Sequence, residues 1–155
     1  MLKPLAISAL AAAAIIGSGA FFSGAAQTPE EIVETRQENM KTLGGAARTT
    51  ARFIQGEEGT VEDVQAAAAD MAEVAERLPD LFPGGTGVGV SDSAALPAIW
   101  ENPEDFASKV EAAQTAIADF QPAAESGNMA TIRAAFGAVG QACSGCHDNY
   151  RAEDD

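Results

Sequence analysis

The residues of this chain best suited to chemistry lie close together near its C-terminus, in the run Cys143-Ser144-Gly145-Cys146-His147. On a helix, positions i, i+3 and i+4 share one face. Two thiols and an imidazole in that spacing can meet one flat porphyrin, each thiol adding across a vinyl group while the imidazole reaches the iron. The pattern is that of covalent c-type haem attachment. A thioredoxin-like redox pair uses the same two-residue gap, but it needs a βαβ setting and usually opens a helix. A zinc site needs more ligands than two cysteines and one histidine supply. A structural disulfide leaves His147 without a role.

Because His147 is the single histidine, the sixth iron position falls to a methionine, a lysine, water, a small ligand or nothing. Of the four methionines, Met1 leaves with an N-terminal signal. Met71 sits in a core stripe, and Met129 starts the last helix far from His147. Met40 remains, on the buried face of the first helix, where core filling is the competing role. Arg36, one turn earlier on that face, is out of place among apolar residues. A buried guanidinium calls for an anionic partner, such as a haem propionate or a glutamate on a neighbouring helix, unless it snorkels to the surface. Arg151, four residues after His147, can lie against the proximal imidazole or simply favour a helix C-terminus.

Four helices are expected to position these groups. Thr28-Pro29-Glu30-Glu31 offers an N-cap, a helix-starting proline and a capping-box glutamate. Val33, Arg36, Met40, Leu43, Ala47 and Ile54 then fall on one face, with Gly44-Gly45 a point of bending or fraying. Thr60 with Asp63 opens a second helix, whose stripe runs from Val61 to Leu78. Asn102-Pro103 opens a third, ended or kinked by Pro122. Asn128 caps a fourth, whose stripe is Ile132, Phe136, Val139, Cys143, His147 and Tyr150. The glycine- and proline-rich stretch from Pro79 to Glu101 reads as a functional loop, with Leu96, Ile99 and Trp100 packing back on the body. The fold class is all-α: an antiparallel four-helix bundle with one covalent haem near the C-terminus.

The remaining segment, residues 1–26, reads as an export signal: Lys3, an uncharged run from Leu5 to Phe22, and the small residues Ser23-Gly24-Ala25-Ala26. Its removal leaves one domain over 27–155, with no stable membrane insertion. The chain carries a net charge of −14, and loss of Lys3 leaves eight basic against 23 acidic side chains. That balance excludes nucleic-acid binding and favours a basic redox partner protein.

At this point the chain resembles the class II c-type cytochromes, which include cytochrome c′ and its methionine-ligated relatives. The resemblance rests on Arg36-Gln37-Glu38-Asn39-Met40-Lys41, Phe82-Pro83-Gly84-Gly85-Thr86, Ala95-Leu96-Pro97-Ala98-Ile99-Trp100 and the run from Val139 to Arg151. It implies a left-handed bundle, often a homodimer, in the bacterial periplasm, with one covalent haem c. It also implies cofactor contacts from Cys143, Cys146, Arg36, Met40 and Arg151, and iron bound by His147. Methionine-ligated members transfer electrons, with Met40 in the position of the second iron ligand. Cytochrome c′ members keep iron five-coordinate and bind nitric oxide or carbon monoxide. From another class comes a haem-free thiol–disulfide oxidoreductase. An enzyme in the usual sense is not expected: a peroxidase wants a distal histidine, and the only one is committed.

Overall fold

The computed structural model describes residues 26–153. The expected signal peptide therefore lies outside the described residues, apart from Ala26. Among the described residues there are five α-helices: α1 (Pro29–Gln55), α2 (Val61–Arg77), the single turn α3 (Ala98–Glu101), α4 (Pro103–Glu125) and α5 (Met129–Tyr150). The four long ones form the bundle. Thr28 and Thr60 each close a full capping box, with Glu31 and Asp63 respectively, and Asn128 accepts from the backbone of Ala130 and Thr131. These side chains satisfy N–H groups that a helix start leaves without partners.

Short connections make neighbours antiparallel. Long-range hydrogen bonds fix the middle pair: Gln65, early in α2, donates to the carbonyl of Ala124, late in α4. Gln114, in mid-α4, donates to Ala75 near the end of α2. The helices α1 and α2, α2 and α4, and α4 and α5 pack along their lengths, whereas α1 and α5 meet only briefly. The core between them is built from Phe120, Met71, Ile117, Ile132, Val33 and Val64, all fully enclosed.

Three local expectations are corrected. The Gly44-Gly45 pair does not fray or interrupt α1, which runs unbroken through it. Packing on both sides of the pair outweighs its weak propensity. Pro122 does not end α4, which continues to Glu125. The fully buried line of α1 is Val33, Arg36, Asn39, Ala46 and Thr50, while Met40, Leu43, Ala47 and Ile54 are partly buried beside it.

The stretch between α2 and α4 is less of a loop than its composition suggests. It begins with a 3₁₀ turn, Leu78–Leu81, and ends in α3. Ile99 is buried, and the Trp100 indole donates to the carbonyl of Phe82 at 3.1 Å. The ring lies so close to the loop backbone that a Cβ on Gly87 would stand 2.8 Å from it, so only glycine fits there.

Gly45 has open space where a side chain would go and lies within a regular helix. Gly45→Ala is therefore expected to raise stability by about 0.5–1 kcal/mol, from lower unfolded-state entropy. A urea-unfolding midpoint that falls instead would show that the site is closed.

Candidate haem site

Where α1 and α5 part, the bundle opens into a cleft of about 670 Å³. Its walls are α1, α4, α5 and the α2–α4 connection. Met40, Leu43, Phe82, Ile99, Phe106 and Val110 supply its apolar lining. Cys143, Cys146 and His147 all line it from one turn of α5. Arg36, Met40 and Arg151 border the same space, so the structure brings together every residue singled out in the sequence.

The end of α5 is held from two sides. The Tyr150 hydroxyl donates to Asp105 at 2.6 Å, and its ring meets Phe106 edge-on at 5.1 Å. That hydrogen bond, with burial added, pushes the tyrosine pKa up to about 12. Beyond Tyr150 the chain turns extended, and Arg151 forms an isolated antiparallel bridge with Ala95. Leu96 N–H donates to the Tyr150 carbonyl at 3.0 Å, and Ala152 N–H to that of Ala94 at 2.8 Å. The α2–α4 connection thus clamps the chain just after His147.

The connection is itself organised by Arg36. Its guanidinium donates to Leu81 O, to Thr86 Oγ1 and O, and to Ser93 Oγ, at 2.7–3.2 Å. It also stands over the Phe82 ring, 5.0 Å from the centroid. Neutral oxygens of the loop thus satisfy a side chain only 5% exposed. Burial lowers the guanidinium pKa, yet arginine keeps its charge. Four good donor–acceptor pairs offset the desolvation that a lone buried charge would suffer.

Cys143 and Cys146 are half-buried free thiols, and burial raises the pKa of both. That is the opposite of the lowered pKa an attacking redox thiol needs, which disfavours the haem-free oxidoreductase. His147 lines the cleft from the same turn of α5 as the two cysteines. It stands at the rim of the cleft with one side exposed. The protein around the rest of the ring, and secondly the charge of Arg151, push its pKa down. The neutral imidazole, the form that binds metals, is thereby favoured.

These features fit haem. Two thiols and one neutral imidazole occupy a single helical turn beside an apolar cleft of cofactor size. Cys143 and Cys146 are placed to carry the thioethers and His147 to bind the iron. Met40 is the one methionine among the cleft residues. Sequence reasoning missed Arg48 and Lys109, which also line the cleft. The signal was present in α1: Arg36, Met40, Gly44 and Arg48 follow at steps of four, marking one ridge.

A helical bundle that turns a Cys-x-x-Cys-His segment into such a cleft belongs to the class of covalent haem bundles. The comparisons name the family. The family model for cytochrome c′ matches residues 31–151. Cytochrome c-554 of Cereibacter sphaeroides is 39% identical over 114 residues, covering 72% of this chain and 70% of the relative. Cytochrome c′ of Rhodopseudomonas palustris is 33% identical, covering 96% and 97% of the two chains. A solved cytochrome c′ described as having an unusual ligand-controlled dimer dissociation superposes with a TM-score of 0.77. It is 31% identical, covering 83% of this chain and 100% of that one. The chain belongs to the cytochrome c′ family and binds haem c covalently.

Arg36→Lys keeps the charge but cannot reach four acceptors from one fork. It is expected to cost about 2–4 kcal/mol, judged by urea unfolding. Hydrogen exchange should quicken at Val88 and Ala95, whose amides are bonded within the loop. Unchanged exchange at both amides would mean that Arg36 does not hold the loop.

Proposed function

We propose that this chain is an exported, periplasmic mono-haem cytochrome that carries single electrons. In this reading Cys143 and Cys146 hold haem c by thioethers, His147 binds the iron from the α5 wall, and Met40 binds it from α1. The observation that carries the reading is Met40 itself, which lines the same cleft as the Cys-x-x-Cys-His turn from a different helix. When bound, haem supplies an iron that alternates between the ferric and ferrous states. The protein's own part is to keep water away with the apolar lining and to hold both ligating side chains still.

Rigidity at the His147 end comes from Tyr150, Asp105 and the Ala94–Leu96 clamp. No enzymatic role is assigned, because the only histidine is taken up as an iron ligand and none is left for the distal side, where a peroxidase would want one. Periplasmic residence is supported by family membership and by the signal-like sequence of residues 1–26. Among the described residues no helix is long and apolar enough to cross a membrane.

A second reading keeps the iron five-coordinate, with Met40 only crowding the distal side, and makes nitric oxide or carbon monoxide the cargo. It is favoured by the solved relative, whose dimer dissociation is under ligand control. The same relative supports a homodimer here.

Replacing both Cys143 and Cys146 by alanine is expected to abolish haem retention in denaturing electrophoresis. Haem that still migrates with the double variant would end the attachment assignment. For the iron, the visible spectrum of the purified protein decides, oxidised and reduced, with and without carbon monoxide. Sharp low-spin bands that ignore the gas, and that are lost in Met40→Ala, are the expected result. A high-spin spectrum that shifts with carbon monoxide and is indifferent to Met40→Ala establishes the gas-binding reading instead.

A further inference from the structure

The distribution of charge around the cleft is the reverse of that over the chain. The chain has 23 acidic and nine basic side chains. Yet five of the basic ones, Arg36, Lys41, Arg48, Lys109 and Arg151, line the cleft. Among the described residues Asp92 is the only acid that does so. Arg36 is spent on the loop. The other four stand at the mouth, with Lys41, Arg48 and Arg151 exposed and Lys109 half-buried.

Lys41, Arg48 and Lys109 also differ from cations elsewhere in their ion pairs. Away from the cleft, Arg52 pairs with Glu58, Arg77 with Glu73, and Arg133 donates to the carbonyl of Ile54. Among the described residues, Lys41, Arg48 and Lys109 form no salt bridge within 4 Å. Arg48 lies back along α1, with a guanidinium nitrogen 3.4 Å from where a Cβ on Gly44 would stand. The glycine leaves room for that pose. An acidic chain that collects cations at one opening presents a local positive field inside a negative one.

We infer that this cationic mouth is the docking surface for an acidic patch on a redox partner protein. The inference rests on the electron-transfer reading and names the chemistry of the partner. The net charge taken alone points to a basic partner. At docking distance, however, the groups within about one Debye length govern the encounter, roughly 10 Å at 0.1 M salt. Carboxylates seated over Lys41, Arg48 and Lys109 would bring a partner's redox centre to the side of the cleft where the Cys-x-x-Cys-His turn lies.

Two small anions test this on the haem-loaded protein. Ferricyanide takes one electron from the ferrous protein, leaving it ferric and giving ferrocyanide. If the mouth governs the encounter, the rate falls about tenfold as ionic strength rises from about 10 mM to about 500 mM. If the net charge governs it, the rate rises with salt, and the inference is overturned. The combined variant Lys41→Gln, Arg48→Gln and Lys109→Gln should reverse the salt slope, while Arg52→Gln should leave it unchanged.

A binding measurement stands apart from electron transfer. Titration with redox-inert hexacyanocobaltate should shift the backbone amide resonances of Lys41, Arg48 and Lys109, and leave those of Arg52, Arg77 and Arg133 in place. Shifts spread evenly over all six overturn the docking surface. Absent shifts overturn it too, and would mean that haem carboxylates already neutralise the mouth. Neither result depends on whether Met40 binds the iron, so failure here is distinct from failure of the electron-transfer reading.

Discussion

The buried guanidinium of Arg36 is the interaction on which the site depends. It draws oxygens from Leu81, Thr86 and Ser93 to one point on α1. These residues lie 45 to 57 positions further along the chain. Thr86 then donates to the Pro83 carbonyl and Ser93 to that of Thr86, so the loop folds as a knot around one charge. A knot so placed delivers Ala94 to Leu96 against the end of α5, where two backbone hydrogen bonds hold the chain beyond His147. One charge on the first helix thereby orders the last turn of the last helix. The charge is suited to this because arginine presents several donors in a fixed fork, which no apolar residue of similar size can imitate.

Packing and chemistry are kept in different seams of the bundle. Three of the helix pairs close tightly around Phe120, Ile117, Met71 and Ile132, and this core accounts for the bundle's coherence. The fourth pair, α1 with α5, is spread apart, and the cleft occupies the gap. The connection after α2 spans that gap instead, joined to α1 through Arg36 and to α5 through Tyr150 and Ala152. A bundle whose outer helices met along their whole length would have no room for a cofactor.

Much of this was legible in the sequence because local rules produce it. Thr28, Thr60 and Asn128 cap helices for reasons confined to three or four residues, and the Cys-x-x-Cys-His turn needs only the helical repeat. Other features depend on groups far apart in the chain, and there the reading failed. Arg36 was legible as anomalous, but its partners were not, since nothing periodic marks Thr86 or Ser93. Gly44-Gly45 looked like a weak point by propensity, and only the contacts of its neighbours reveal why α1 passes through it intact. Arg48 and Lys109 went unnoticed because a charged residue near an apolar stripe ordinarily means a solvated edge.

Because α1 and α5 barely touch, Met40 faces the cleft and, unlike Arg36 one turn away, holds no other element in place by hydrogen bonds. Met40 is partly buried and outside the fully enclosed set that holds the bundle together. Inheritance can therefore alter that one position freely: its side chain can grow, shrink or lose its sulfur while the scaffold persists. The gap between two helices is thus a reserve of evolvability, a place where a side chain can change without unseating the scaffold.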